Sequence, residues 1–286
     1  AIMKKVLILG ATGLIGHQVF LRLKARKDYE VISFAHQRKI DDDTVLLNAR
    51  DEQLLEKKIV EVRPDIIVNS MGALIAEANR DPESAIFLNA YIPQRLKTVA
   101  NRLGAKLVHI STDCVFSGKK GSYIESDIKD ADDTYGRAKA MGEVVESPHV
   151  TLRTSVVGPE IKDGEELFHW FMKQAGEING FTKSFWSGVT TLELAKAVEW
   201  AIERNIQGLY HITNGQPINK YALLILFKKH TKKALNIVAV DGPITDKSFL
   251  DTRQEIEYSI PSYDEMVCEM VYAIKNNPAL YTQYAL

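Results

Sequence analysis

The chain has 286 residues, 36 basic and 37 acidic side chains, a formal net charge of −1 and 45% hydrophobic residues. This length and composition support a large buried core in one or two domains, and the balanced charge gives no reason to expect a nucleic-acid partner. Only Cys114 and Cys268 are present, which excludes a disulfide scaffold and favours a reducing compartment.

Signals for membranes and export are also missing from the sequence. No apolar run reaches the roughly 18 residues that a membrane-spanning helix needs. The first predicted strand begins at Lys4, so we expect no signal peptide, no membrane partner and a cytoplasmic location.

The first predicted elements are a strand, a glycine-rich turn and a helix. The apolar run 4–9 leads into Gly10-Ala-Thr-Gly13-Leu-Ile-Gly16, and an amphipathic pattern covers 14–24. Glycine permits a sharp turn and close backbone approach to a pyrophosphate, whose charge the helix N-terminus attracts. The order predicts a dinucleotide site, and the alternative is an ordinary strand-turn-helix corner.

The second predicted strand, 30–34, bears on the choice of cofactor. Many NAD-binding folds place a carboxylate at the end of this strand, where it accepts hydrogen bonds from the adenosine ribose. Here the strand is followed by Ala-His-Gln-Arg-Lys, and Ser33 with Arg38 or Lys39 could hold a 2′-phosphate. The sequence therefore favours NADP over NAD, with simple solvation of the loop as the alternative.

Further strands are predicted over 65–69, 106–111 and 150–153, with helices between them. This alternation indicates an α/β fold of the Rossmann type, a doubly wound parallel sheet with right-handed crossovers. Ser111 and Thr112 end the strand 106–111 at the edge where parallel sheets bind their ligands. Their hydroxyls could bond a reacting carbonyl, and turn chemistry is the alternative.

Tyr135 and Lys139 stand four residues apart in a predicted helix, so their side chains share a face. A nearby ammonium favours the phenolate and so lowers the pKa of the phenol, which could then give a proton to a carbonyl oxygen. Such pairs occur by chance in many helices. Their position after the glycine turn and the Ser-Thr strand end is what indicates a catalytic set.

Beyond residue 158 the pattern loosens, with predicted helices over 165–174 and 191–204 and a strand over 209–213. We predict a dinucleotide-binding domain over 1–157. Residues 158–286 are predicted to form mainly a smaller α/β substrate-binding lobe, with some segments returning to the main sheet.

Several conspicuous side chains have plain explanations. The seven histidines are scattered and form no ligand motif, so no metal site is expected. The acidic runs 41–43 and 130–133 are best interpreted as solvated loops. Phe168, Trp170 and Phe171 fit helix packing better than contact with a base, whereas for Trp186 packing and a substrate wall are both kept open.

Three segments resemble those of a known family. They are Ile110-Ser-Thr-Asp-Cys-Val-Phe-Ser-Gly118, Tyr135-Gly-Arg-Ala-Lys-Ala-Met-Gly-Glu143 and Leu152-Arg-Thr154. They are similar to segments of the extended short-chain dehydrogenases/reductases of the dTDP-4-dehydrorhamnose reductase-like family, which reduce nucleotide-linked 4-keto sugars. The resemblance covers residues 4 to about 153 and continues loosely through 186–191 and 208–214.

This resemblance implies roles for individual residues. The catalytic set would be Thr112, Tyr135 and Lys139, with Tyr135, Lys139 and Ser111 also near the cofactor. The other residues that would bind the cofactor are Gly10, Thr12, Gly13, Leu14, Ile15, Gly16, Asn48, Ala49, Asn69, Ser70, Met71 and Gly72. The residues that would face the substrate are Asp113, Cys114, Val115, Phe116, Val156 and Trp186.

Two positions depart from the family pattern and bear on the substrate. Cys114 stands where the reductases have an aromatic residue, and Val156 stands where they have tryptophan. The related 4,6-dehydratases carry an Asp-Glu pair after the threonine. Here Asp113 is followed by a thiol, which at its ordinary pKa cannot replace that acid, so reduction is favoured over dehydration.

The resemblance implies NADPH-dependent reduction of the C4 keto group of a nucleotide-linked 4-keto-6-deoxysugar, as in deoxysugar biosynthesis. One alternative is a 4-epimerase or dehydrogenase that retains NAD. The other is an NADP-binding regulatory subunit of the methionine adenosyltransferase type. The expected partner is a small nucleotide-sugar, and a homodimer is among the assemblies considered.

Overall fold

The computed structural model of the protein describes residues 2–253 and 258–286. In chain order its strands are β1 (Lys4–Leu9), β2 (Tyr29–Ala35), β3 (Val45–Leu46), β4 (Ile66–Asn69), β5 (Lys106–Thr112), β6 (Val150–Thr154), β7 (Val156–Val157), β8 (Gly176–Phe181), β9 (Ser184–Trp186), β10 (Val189–Thr190), β11 (Gly208–His211), β12 (Ile218–Asn219), β13 (Leu235–Val240) and β14 (Thr245–Asp246).

The helices follow the same order. They are α1 (Leu14–Lys24), α2 (Glu52–Val62), α3 (Ile75–Arg80), α4 (Pro82–Ile86), α5 (Ile92–Leu103), α6 (Thr134–Met141), α7 (Leu167–Met172), α8 (Thr191–Glu203), α9 (Lys220–Thr231) and α10 (Tyr263–Lys275). A π-helical turn, Phe87–Tyr91, joins α4 to α5, and a 3₁₀ turn, Asp113–Val115, follows β5. None of the helices that the structure describes is long and apolar enough to cross a bilayer.

The main sheet has seven strands in the order β11-β6-β5-β4-β1-β2-β3. The pairs from β5 across to β3 are parallel, and β1 lies between β2 and β4. Helices connect β1 to β2, β3 to β4, β4 to β5 and β5 to β6, as in a Rossmann fold. The predicted α/β fold class is therefore confirmed. The late strand β11 forms one edge of this sheet.

Two compact units divide the chain. The first comprises residues 1–115, 129–153 and 195–210, and the second comprises 116–128, 154–194 and 211–286. The second unit contains three small sheets, one of which pairs β8 with β13 in parallel. That residues 1–157 bind the cofactor and that residues 158–286 mainly bind the substrate remains a proposal.

The core of the first unit lies between its sheet and helices α2 and α5. Leu7 and Leu107 on the strands and Ile59 and Leu96 on the helices are buried in one apolar cluster. Apolar burial contributes about 25 cal/mol per Å² removed from water. Because strands covered on both faces are apolar throughout, the runs predicted for β1, β4 and β5 were clear in the sequence.

The core of the second unit is rich in aromatic side chains. Phe168 and Phe171 on α7 are fully buried and pack with Phe227 of α9, which confirms the packing role predicted for these two. Trp170 on the same helix is 38% exposed and takes no part in that core. Trp186 is half-buried against the cluster.

Candidate active site

The glycine turn joins β1 to α1 and is held by backbone hydrogen bonds. The amides of Gly10 and Ala11 both donate to the Phe34 carbonyl of β2, at 3.1 and 3.0 Å, and the Gly13 amide donates to the Gly10 carbonyl at 3.0 Å. Gly10 has φ +81°, a conformation that L side chains rarely adopt. The turn therefore needs glycine at its first position.

The same turn fits a dinucleotide pyrophosphate. At Gly16 a Cβ would lie 1.9 Å from the Gly10 carbonyl oxygen, so the helix can approach the turn only without a side chain there. No side chain caps the N-terminus of α1, and its first turn carries no acid. These properties leave the positive end of the helix suited to a phosphate group. Of the six residues predicted to bind the pyrophosphate, Gly10, Thr12 and Gly13 lie on this turn, and Leu14, Ile15 and Gly16 form the start of α1.

Gly16→Ala is expected to lower the free energy of unfolding by about 1–3 kcal/mol, which is the usual cost of adding a methyl group to a packed site. The added carbon would meet backbone atoms of Gly10, which cannot move without opening the turn. Urea unfolding measures the effect. Gly13→Ala is the matched control because its Cβ would meet Gly10 at 3.3 Å, and equal stability of the two variants would contradict this explanation.

The end of β2 corrects one predicted cofactor contact. Ser33 is buried, and its hydroxyl is hydrogen-bonded to Thr44 at 2.9 Å. Thr44 also accepts the amides of Ile40 and Asp41, so Ser33 anchors the following loop from inside and cannot hold a 2′-phosphate. Arg38 and Lys39 are exposed on that loop. They remain the predicted phosphate ligands.

The predicted adenine contacts lie on the loop between β3 and α2. Asn48 is exposed, and its side-chain carbonyl accepts the Arg50 amide at 3.0 Å. Ala49 is half-buried and packs against the core of the first unit. The structure thus fixes the backbone of this loop, and the contact with adenine stays a prediction.

The segment after β4 connects the glycine turn to Lys139, the predicted catalytic lysine. Asn69 is buried, its amide nitrogen lies 3.2 Å from the His109 ring, and its carbonyl accepts the Met71 amide. Ser70 donates to the Leu9 carbonyl at 2.7 Å, which braces the glycine turn. A Cβ on Gly72 would lie 3.9 Å from the Lys139 ammonium nitrogen. Predicted cofactor and catalytic residues therefore meet at this point.

The structure brings Thr112, Tyr135 and Lys139 together. Tyr135 lies close to Thr112, whose Oγ1 accepts the Cys114 amide at 3.1 Å and donates to the Asp113 Oδ1 at 3.3 Å. The Lys139 Nζ donates to the Ile110 carbonyl of β5 at 3.1 Å. Strand β5 thus positions the hydroxyl and the ammonium, while α6 supplies the phenol on the same helical face as Lys139.

The ionisation of this set differs from what the sequence predicted. Burial raises the pKa of Tyr135 well above its ordinary value, and the neighbouring Cys114 and Asp113 raise it further. The predicted lowering of this pKa is therefore wrong, because loss of hydration is the largest effect on the phenol. Burial also lowers the pKa of Lys139 to about 8. At neutral pH Tyr135 is accordingly a protonated acid.

Asn89 is a site residue that the sequence did not reveal. It is buried in the π-helical turn, where its side chain accepts the Ala73 amide at 2.8 Å and donates to the Ala73 carbonyl at 2.9 Å. These two bonds fix the segment that places Gly72 beside Lys139. A single asparagine in the apolar run 86–90 was the only signal, and π-helical turns often mark functional sites.

Two predicted substrate contacts are corrected. Val115 and Phe116 are fully buried, and the ring of Phe116 stacks on Tyr123 at 4.2 Å, so both are core residues. Asp113 is also buried, and its Oδ1 lies 3.6 Å from the Cys114 thiol. Of this group Cys114 is half-buried and remains predicted to face the substrate.

Ser111, Val156 and Trp186 complete the predicted set. Ser111 is buried near the end of β5. In the second unit Val156 is half-buried and pairs with Val189, and the Trp186 ring lies 5.9 Å from that of Tyr263. Part of the Trp186 ring is therefore in packing contact with Tyr263. Its contact with substrate and that of Val156 stay predictions.

Comparison with known proteins identifies relatives of two kinds. SpsK, a spore coat polysaccharide biosynthesis protein of Bacillus subtilis, is 29% identical over 74% of each chain. A dTDP-4-dehydrorhamnose reductase of Aggregatibacter actinomycetemcomitans is 26% identical over 86% of each. Methionine adenosyltransferase 2 subunit beta of Xenopus laevis is 27% identical over 77% of this chain and 70% of its own.

Solved structures agree with this relationship. A hypothetical dTDP-4-dehydrorhamnose reductase from Sulfolobus tokodaii superimposes with a TM-score of 0.78 and 26% identity, covering 91% of this chain and 98% of its own. The Bacillus anthracis dTDP-4-dehydrorhamnose reductase, in complex with NADP, shares the fold with a TM-score of 0.82 and 22% identity over 95% and 100% of the two chains. The RmlD substrate binding domain family matches residues 3–275. The chain therefore belongs to this family, one of the extended short-chain dehydrogenases/reductases.

Proposed function

We propose that the protein is an NADPH-dependent reductase of the C4 keto group of a nucleotide-linked 4-keto-6-deoxysugar. The observation that carries the proposal is the placement of Tyr135 close to Thr112 at the end of β5, with the Lys139 ammonium held on the Ile110 carbonyl of the same strand. The related reductases support the choice of substrate class. The absence of a carboxylate at the end of β2, together with the exposed Arg38 and Lys39, supports NADP.

Thr112, Tyr135 and Lys139 each have a separate role in the proposed reaction. When bound, the reduced nicotinamide supplies the hydride that is added to the sugar carbon. Thr112 donates a hydrogen bond that orients the keto oxygen, and Tyr135 transfers its proton to that oxygen, so that hydride and proton together give the alcohol. Lys139 holds the ribose and, as an ammonium, stabilises the phenolate that remains.

The direct test measures NADPH oxidation by the purified protein against dTDP-, UDP- and GDP-linked 4-keto-6-deoxysugars. One of these should be reduced with turnover well above the rate without protein. Failure of the entire panel would contradict the proposal. Tightly held NAD⁺ released on denaturation would instead favour an epimerase or dehydrogenase.

The relationship to methionine adenosyltransferase subunit beta favours a second candidate. A regulatory subunit could keep the whole set of site residues and act through a catalytic partner. Co-purification with a methionine adenosyltransferase, combined with no oxidation of NADPH on any keto-sugar, would support this candidate over the reductase.

Reduction is expected to decline as the pH rises through about 8, well below the ordinary lysine pKa near 10.4. Burial lowers the pKa of Lys139 to about 8, so above that pH the side chain loses the charge that stabilises the phenolate. The measurement is kcat/KM as a function of pH. Lys139→Arg is the control because its guanidinium stays charged, and residual activity of that variant should lack the decline. A flat profile up to pH 10 in the parent would contradict the assignment.

A further inference from the structure

A buried pair of hydroxyls closes the loop that carries the predicted phosphate ligands. Ser33 on β2 and Thr44 just before β3 are 2% and 4% exposed, and their side-chain oxygens lie 2.9 Å apart. The strand residues beside them pair in parallel, with Phe34 opposite Val45. The 36–44 loop therefore leaves and rejoins the sheet at neighbouring points, and the hydroxyl pair joins its two ends.

The 36–44 loop begins beside the glycine turn. The Phe34 carbonyl accepts the amides of Gly10 and Ala11, so the end of β2 is bonded directly to the turn that fits the pyrophosphate. In Rossmann folds the adenosine ribose of a bound dinucleotide lies near the end of this strand. A 2′-phosphate on that ribose would therefore meet the first residues of the loop.

Charge alone does not make this loop a phosphate site. It contains the basic residues Arg38 and Lys39, but also the acidic run 41–43. The two cations would attract a 2′-phosphate, whereas a carboxylate close to it would repel it. The conformation of the loop therefore decides which sign of charge meets the phosphate.

Thr44 fixes the acidic part of the loop. Its Oγ1 accepts the amides of Ile40 and Asp41, each at 3.1 Å, and donates to the Asp41 Oδ1 at 3.1 Å. The same Asp41 oxygen accepts the Asp43 amide at 3.0 Å, and the other oxygen lies 3.9 Å from the Lys24 ammonium of α1. Both carboxylate oxygens of Asp41 are thus engaged by the loop and by α1.

We propose that Thr44 is a positioning residue for the cofactor, whose buried hydroxyl holds the Asp41 carboxylate in place and leaves Arg38 and Lys39 to meet the 2′-phosphate. This inference rests on the proposed function for the choice of NADP. Residues 36–39 are exposed, and the amides that Thr44 accepts belong to the two residues directly after them. Loss of the hydroxyl would therefore free the backbone that joins the cations to the acids, and Asp41 could then approach the phosphate.

The test is fluorescence titration of the purified protein with NADPH and with NADH, without any sugar. Thr44→Val keeps the shape of the side chain and deletes its hydroxyl. The Kd for NADPH should rise about 10- to 100-fold, the equivalent of one lost hydrogen bond to a charged group, while the Kd for NADH should change less than about threefold. Thr44→Ser keeps the hydroxyl and should keep the preference of the parent. A folded Thr44→Val protein with an unchanged ratio of the two Kd values would overturn the proposal.

Thr98→Val is the matched control, because Thr98 is exposed on α5 and its hydroxyl bonds the Gln94 carbonyl of its own helix. Both Kd values should stay at those of the parent. Thr44→Val should also have a smaller effect on NADPH in a protein that already carries Arg38→Met and Lys39→Met, since its hydroxyl acts through those cations. Equal effects in the two backgrounds would show that Thr44 acts only on the fold, and would overturn the proposal.

Ser33→Ala covers the case in which Thr44→Val does not fold. It removes the anchor on β2, so the preference for NADPH over NADH should fall by about two- to tenfold, the range of one neutral hydrogen bond. An unchanged preference would overturn the proposal.

The same titrations separate this inference from the proposed function. A parent protein that binds NADPH no more tightly than NADH would contradict the choice of NADP, and this inference with it. A parent that prefers NADPH, together with a Thr44→Val variant that keeps the preference, would contradict the role of Thr44 alone. Because no turnover is needed, both results are independent of the keto-sugar panel.

Discussion

Tyr135→Phe is expected to lower kcat/KM for keto-sugar reduction by about 10²- to 10⁴-fold, the usual contribution of a general acid. The variant loses the phenolic proton that the proposed reaction transfers to the keto oxygen. The ring keeps its packing, so NADPH affinity and the free energy of unfolding should change little. Steady-state NADPH oxidation measures kcat/KM, fluorescence titration measures NADPH affinity, and urea unfolding measures the free energy of unfolding.

Tyr91→Phe is the matched control for this variant. It deletes the same atom from a tyrosine of the first unit that is 44% exposed and whose hydroxyl bonds Glu52 at 2.6 Å. Its kcat/KM should stay within about twofold of the parent, since a surface hydrogen bond contributes little to the reaction. Turnover of Tyr135→Phe within a few-fold of the parent would remove Tyr135 from the mechanism.

The first half of the fold was predictable because its strands are buried on both faces. The predicted bounds of β1 and α1 match the structure, 4–9 and 14–24, since an apolar run, a glycine turn and an amphipathic pattern follow in immediate order. In the second half, β7, β10, β12 and β14 have two residues each. Two residues are too few to show an alternating pattern, so these strands could not be recognised.

The candidate site was predictable where local spacing specifies it. The glycines and the Tyr135–Lys139 pair depend on neighbours within one turn of chain. Ser33 was assigned wrongly because a single sequence does not show that its hydroxyl meets Thr44 on the following loop. Asn89 was missed because its partner, Ala73, lies 16 residues away. Contacts of this kind arise from tertiary packing and leave no periodic signal.

The ionisation of the site was the least predictable property. Tyr135 and Lys139 share a helical face as predicted, yet a pKa depends on hydration as much as on charge. Burial raises the pKa of Tyr135 and lowers that of Lys139, and no local spacing reports burial. The phenol keeps the protonated form that an acid catalyst requires, although its raised pKa makes it a weaker acid than the sequence predicted.

Arg153→Leu is expected to lower the free energy of unfolding by about 3–5 kcal/mol, the usual result of breaking one side of a buried ion pair. The substitution leaves the Glu143 carboxylate buried at 1% exposure without its bidentate partner. Lys129 retains one contact with it, which places the expected loss toward the lower end of the range. Urea unfolding at neutral pH measures the difference.

Arg95→Leu provides the matched control, because Arg95 also binds both oxygens of a glutamate, Glu56, but at 33% and 21% exposure. Partly exposed ion pairs contribute about 0–1 kcal/mol to stability. Arg95→Leu should therefore lower the free energy of unfolding by no more than that. Replacing Arg153 and Glu143 together by leucine should restore most of the stability lost in the single variant, since no charge is then left unpaired. Equal losses of stability in Arg153→Leu and Arg95→Leu would contradict the larger contribution expected of the buried pair.

The pH dependence of Arg153→Leu separates an unpaired charge from a simple packing defect. In the parent, Arg153 holds the pKa of Glu143 below its ordinary value, so the pair stabilises the fold above that value and this contribution is lost as the pH falls through the lowered pKa. In the variant, burial without Arg153 raises the pKa of Glu143, and the carboxyl takes up a proton as the solution becomes acidic. The stability difference between parent and variant should therefore narrow at acidic pH. A cavity left by the arginine side chain would give a difference that does not change with pH.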